Sequence, residues 1–216
     1  MFDIRMEGKQ MIEAPVSRLI MIFIVLIMLG GCGGSKSANY YILRSIQDRG
    51  PGVEAAGPGQ EPAIGVGPVK IADYLNRPQI VSRSSNSGLQ FAEFDRWAEP
   101  LEKNLTRVLA DNLTILLPSE RVAMFPWPES LPVLYQITLE IIHLERMPDE
   151  KVILDASWNI LGNNGEKLLM MKRTRLILPV QSAGYEGIAS TESSAVETLS
   201  REIAAAIKSL HLEASQ

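Results

Sequence analysis

The strongest hydrophobic period in the chain lies at residues 97–117. Leu101, Leu105, Val108, Leu109, Leu113 and Leu116 recur at spacings of three and four, with Glu99, Glu102, Lys103, Arg107 and Asp111 mostly between them. That pattern predicts an amphipathic helix starting near Ala98, with Pro100 in its first turn and Pro118 ending it. A second stripe of Val196, Leu199, Ile203, Ile207 and Leu210 predicts another helix over residues 191–210. Between the helices the period changes to two. Val133, Tyr135, Ile137, Leu139 and Ile141 alternate with Gln136, Thr138 and Glu140, and the phase slips at Ile141-Ile142, where a bulge is expected. Leu154, Ala156, Trp158 and Ile160 alternate with Asp155, Ser157 and Asn159. Asn163-Asn164-Gly165 then predicts a tight hairpin, since these residues accept positive φ. Leu168, Met170, Leu176 and Leu178 are expected on one face of a third strand, with Arg173 and Arg175 on the other. Residues 133–178 therefore read as a three-stranded antiparallel meander.

Upstream, residues 40–43 and 63–71 read as strands, and 77–83 as a third, short extended piece. Pro68 marks a bulge or an edge in the second. Residues 47–62 are rich in Gly and Pro and read as a flexible loop, residues 84–88 as a polar turn, and Pro126-Trp127-Pro128 as a rigid connection. The fold class expected is α/β: a two-layer sandwich of a mixed sheet, carrying the antiparallel meander, with two amphipathic helices packed on one face. No internal repeat is present.

One apolar run fits neither period. Leu19 to Leu29 is eleven apolar residues without a charge, preceded by Arg18. It is too short to span a bilayer, which takes about 20 residues in a helix. It suits the core of an export signal. Leu29-Gly30-Gly31-Cys32 follows and resembles the bacterial lipobox. That resemblance implies cleavage before Cys32, with lipid on its thiol and on the new amine. The organisation expected is a lipoprotein signal peptide over 1–31, a lipidated tether over 32–38 and a single periplasmic domain over 39–216. The stretch before Arg18 is long and carries Asp3, Glu7 and Glu13, so Met6 or Met11 is an alternative start. Gly33 follows the cysteine. Enteric sorting retains lipoproteins in the inner membrane when Asp stands there, so the outer membrane is expected.

Composition narrows the function. The chain has 216 residues, 46% hydrophobic and 21% charged, with a net charge of −4. That is globular, and it lacks the basic character of a nucleic-acid binder. Cys32 is the only cysteine and His143 and His211 the only histidines, which leaves little material for a disulfide, a zinc site or histidine catalysis. No cofactor is expected beyond lipid on Cys32.

The remaining candidates for chemistry are weak. Gly65-x-Gly67-Pro68 lacks the third glycine and the Lys-Ser/Thr pair of a phosphate loop. His143 stands beside Glu140 and Glu145 but reads as an ordinary strand histidine, and His211 suits the negative end of the last helix. No Gly-x-Ser-x-Gly elbow occurs. Asn104 and Asn112 match glycosylation sequons by chance, on a helix. Arg77, Arg83, Arg96, Arg173 and Arg175 could gather into an anion-binding patch, although a solvated face is the better reading. Met170-Met171 with Leu168 could line an apolar groove, and Trp127 and Trp158 could be interface anchors. Core packing is the better reading for Met170-Met171 and for Trp158.

A resemblance rests on ordered runs after the lipobox: Asn39-Tyr40-Tyr41-Ile42-Leu43, Ile64 to Ile71 (IGVGPVKI), Tyr74 to Val81 (YLNRPQIV) and Arg96 to Leu101 (RWAEPL). With them the chain resembles the ABC-type transport auxiliary lipoproteins, which include the lipoprotein of the paraquat-inducible membrane-integrity system. The resemblance covers the chain in ordered motifs to Leu117. It implies a non-enzymatic periplasmic subunit anchored to the outer membrane through Cys32, working with an MCE-domain protein and inner-membrane transport components on phospholipid or similar cargo. A homo-oligomer is compatible with it if the partner is a ring. A lipoprotein adaptor of another envelope machine, such as lipopolysaccharide assembly or a secretion pilot, is the alternative. An envelope hydrolase would need a nucleophile and base that the sequence does not assemble.

Overall fold

The computed structural model describes residues 21, 37–46, 63–85, 87–117 and 121–214. Cys32, the signal segment apart from Met21, and the 47–62 segment lie outside them. Residues 38–216 form one compact unit.

Runs rich in Ile, Val and Leu make the centre of the sheet, because branched side chains pack well on a pleated surface. Its eight strands are β1 (Asn39–Tyr41), β2 (Ile64–Ile71), β3 (Gln79–Arg83), β4 (Leu89–Trp97), β5 (Val122–Met124), β6 (Tyr135–Arg146), β7 (Lys151–Gly162) and β8 (Lys167–Pro179). The helices are α1 (Leu101–Leu116) and α2 (Gly184–Ala214). The meander β6-β7-β8 is antiparallel throughout. On its other side β6 pairs in parallel with β2, and at Arg146 with Ser82 of β3. β2 continues in parallel to β5, while β3 pairs antiparallel with β4 and β4 in parallel with β1. The sheet is mixed as expected, and α1 and α2 share one core with it. That core includes Val108 and Leu113 of α1, Val196 and Ile203 of α2, and Ile137, Leu154 and Trp158 of the sheet.

Several local features follow the sequence pattern. The register shifts between Ile141 and His143, where the hydrophobic phase slips. Asn163 and Asn164 both have φ of 53° and Gly165 has φ of 92° in the turn joining β7 to β8. β2 shifts register across Gly67-Pro68, and Trp158 is fully buried.

Other expectations need correction. Residues 89–97 form β4, whose alternation is hidden because its register with β3 shifts. β1 leaves the sheet after Tyr41, so residues 42–43 are not strand. α1 begins at Leu101 with Pro100 as its N-cap, and α2 runs from Gly184, a full turn or more beyond its apolar stripe. β8 slips register between its Leu168 and Met170 partners. Leu168 therefore turns outward and is half-exposed, while Leu169 packs with Met170 on the core. Met171 is 70% exposed, so Leu168, Met170 and Met171 do not line one groove.

Candidate functional site

The motif runs YYIL, YLNRPQIV and RWAEPL meet at one end of β1, β3 and β4. The Trp97 amide donates to the Pro78 carbonyl at 2.7 Å, and the Ala98 amide donates to the Tyr41 carbonyl at 2.8 Å. Arg96 stands opposite both Gln79 and Tyr40. A cavity of about 330 Å3 opens there between Arg77-Pro78 and Trp97, Glu99 and Pro100. The Arg77 guanidinium lies 3.8 Å over the Phe91 ring, and its Nε donates to the Tyr74 carbonyl at 2.8 Å. This is a cation–π contact that also covers the half-exposed ring.

Next to it lies a buried charged network. Glu145 is fully buried. Its Oε1 accepts from Arg83 Nη2 at 2.6 Å and Nε at 3.1 Å, and its Oε2 accepts from Tyr74 Oη at 2.8 Å and the Leu144 amide at 3.0 Å. His143 Nδ1 is 2.9 Å from the same Tyr74 hydroxyl. Burial, then the hydrogen bond to Glu145, hold the Tyr74 phenol far above its ordinary range. One strand away, buried Asp155 takes both Nε (2.8 Å) and Nη2 (2.9 Å) of Arg173. That fork, outweighing desolvation, keeps Asp155 below the usual carboxylate range.

The five arginines do not make one free cationic patch. Arg83 and Arg173 are tied to buried carboxylates, Arg77 to Phe91, Arg96 lies within β4, and Arg175 is exposed on β8 opposite Asp155. With its carboxylate occupied by Arg83, Tyr74 and a backbone amide, Glu145 ties β3 and the Asp73–Leu75 turn to β6. It has no free lone pair aimed at a substrate. Among the described residues no group of His, Cys, Asp and Glu could hold a metal. His211 stands edge-on to Tyr135 in the last turn of α2.

Residues 39–46 are held firmly. β1 is fixed to Asp95, whose Oδ1 accepts from Asn39 Nδ2 and Tyr41 Oη, each at 2.9 Å. Burial, followed by this contact with Asp95, pushes the Tyr41 phenol up to about 12. Past β1 the chain has no sheet partner, and α1 supplies one. Asn104 Oδ1 accepts the Leu43 amide at 2.7 Å and Asn112 Oδ1 the Ile46 amide at 2.8 Å. From α2, Ser193 accepts the Arg44 amide at 3.1 Å, and Ser200 accepts from Asn112 Nδ2 at 3.0 Å. Asn104 and Asn112 lie eight residues apart, two helical turns and a little more, about 12 Å of rise. Three extended residues cover nearly the same distance. Both asparagines are buried, so the sequon matches have a structural use. The readable signal was their place inside the apolar stripe, one turn from Leu101, Val108, Leu109 and Leu116.

Gly65-x-Gly67 serves packing. A Cβ on Gly65 would stand 2.5 Å from the Trp127 ring, and Gly67 has φ of +122° with Phe125 closing over it. Trp127 is half-buried there, edge to face with Phe125 at 5.5 Å.

Comparisons with known proteins agree with this arrangement. The intermembrane transport lipoprotein PqiC of Escherichia coli K12 is 27% identical over 192 residues, covering 88% of this chain and 97% of PqiC. PqiC of Shigella flexneri matches to the same extent. Protein XCC0632 of Xanthomonas campestris has the same fold, with a TM-score of 0.64 at 15% identity over 83% of this chain and 99% of its own. An uncharacterised protein superposes with a TM-score of 0.65 at 20% identity, over 80% of this chain and 99% of that one. The family model for the ABC-type transport auxiliary lipoprotein component matches residues 45–204, which take in Asn104 and Asn112, the Arg77–Trp97 cavity and the Glu145 network; the chain belongs to that family.

Proposed function

We propose that this protein is a lipid-anchored, non-enzymatic subunit of an intermembrane lipid transport system of the bacterial envelope. The observation that carries this reading is the alignment to PqiC over nearly the whole length of both chains. Cys32 is the lipid attachment residue, and several acyl chains at about 0.8 kcal/mol per buried CH₂ hold the domain on a membrane. The domain faces the periplasm from the outer membrane and docks an MCE-domain protein that reaches the inner-membrane transport components. Arg83 with Glu145 and Arg173 with Asp155 are held in structural pairs, which supports an adaptor role. Among the described residues no helix is long and apolar enough to cross a membrane.

The test is mass spectrometry of the amino-terminal peptide from protein extracted out of envelopes. A peptide beginning at an acylated Cys32 is expected, and Cys32→Ser should leave the signal uncut and unacylated. An unmodified thiol at Cys32 in membrane-associated protein contradicts the reading.

A further inference from the structure

We propose that Tyr40, Ile42 and Arg44 form the face that this domain lays on the bilayer interface, a non-covalent contact beside the acyl anchor. The proposal rests on reading Cys32 as the lipid attachment residue. In an extended chain alternate side chains share a side. Leu43 and Ser45 turn inward and are buried, and Tyr41 packs against the core. Tyr40, Ile42 and Arg44 turn outward, with Tyr40 64% and Ile42 43% exposed. The row cannot rotate away, because Asp95 holds Asn39 and Tyr41 while Asn104 and Asn112 hold the Leu43 and Ile46 amides. An apolar pair is thus displayed rigidly to the outside.

The length of the tether names the occupant. Six residues, 33–38, separate Cys32 from Asn39. Fully extended, the steps from Cys32 to Asn39 reach at most about 24 Å. A domain of this length is about 40 Å across. Its far side therefore cannot meet a membrane that holds the acyl chains, whereas the β1 side can. Arg44 is the cation of the row, and Glu186 is the acidic residue lining the concavity beside Tyr40, Ile42 and Arg44. The positive charge of Arg44 suits the phosphates of lipid headgroups. Tyrosine belongs at the boundary between headgroup and acyl chain, and an arginine beside it keeps its guanidinium among the phosphates.

The experiment uses full-length lipidated protein in vesicles of phosphatidylethanolamine and phosphatidylglycerol. Acylation consumes the only native thiol, so Tyr40→Cys, Ile42→Cys and, as control, Asn164→Cys in the β7–β8 turn each offer one site for a fluorophore. Lipids carrying a nitroxide on the acyl chain are the quencher, and intact mass reports acylation. Labels at 40 and 42 should lose most of their fluorescence while the label at 164 keeps it. Equal quenching at all three sites on acylated protein overturns the membrane face and leaves the anchor standing. Labels at 40 and 42 that are shielded from aqueous iodide but untouched by the lipid quencher assign the row to a contact between copies of this chain and overturn it too. Protein whose intact mass carries no acyl chains overturns the anchor reading on which this face rests.

Discussion

Glu192 shows what a single side chain can cost. It faces inward from α2 with 1% of its surface exposed, and neither carboxylate oxygen has a hydrogen-bond partner. Burial, with a smaller contribution from the charge of Glu145, holds its carboxyl well above the usual range, so the folded protein keeps a proton there that the unfolded chain releases. The sign follows from linkage. Stability from this group is complete below the unfolded carboxyl pKa and is lost as pH rises towards the folded one. Urea unfolding at pH 5 and pH 8 should show the wild type weaker at pH 8 and Glu192→Gln with a smaller difference. Glu145 has the opposite character, since every oxygen is used. Glu145→Ala leaves Arg83 and Tyr74 without their buried acceptor. It should cost about 3 kcal/mol by the same unfolding assay, near the low end for a broken buried pair because Arg83 retains some contact with water.

At the level of elements, helices and strands with a clean period were legible and their partnerships were not. The stripe from Leu101 to Leu116 and the alternation along β6 and β7 state which face is buried. The slip at Ile141-Ile142 even locates the bulge. β4 was hidden because its bulge breaks the alternation, and β8 lost its phase for the same reason at Leu169. The parallel pairings of β2 with β6 and of β1 with β4 leave no local mark, since residues far apart in sequence make them. The α1–α2 clamp was half legible: Asn104 and Asn112 stood in an apolar stripe, but the backbone they satisfy lies more than 60 residues away. Asn112→Ala orphans the buried Ile46 amide and should cost about 2 kcal/mol. Hydrogen exchange should then quicken at Ile46 and leave the β6–β7 amides slow. Unchanged protection at Ile46 would contradict the clamp.

For the molecule as a whole, the fold builds residues 39–46 into a rigid body. Asp95 holds β1 and the two helices hold residues 42–46, so this segment moves with the domain. A lipobox-like run is legible in the sequence because it is local, and Cys32 itself lies outside the described residues. The cavity between Arg77 and Trp97 is not, because it exists only where three separate runs meet. Affinity purification of the lipidated protein from its own envelopes in mild detergent, with mass spectrometry of what accompanies it, tests the central claim most directly. The account predicts recovery of an MCE-domain protein, lost with Cys32→Ser. Recovery of a secretin or a lipopolysaccharide-assembly protein in its place would contradict it.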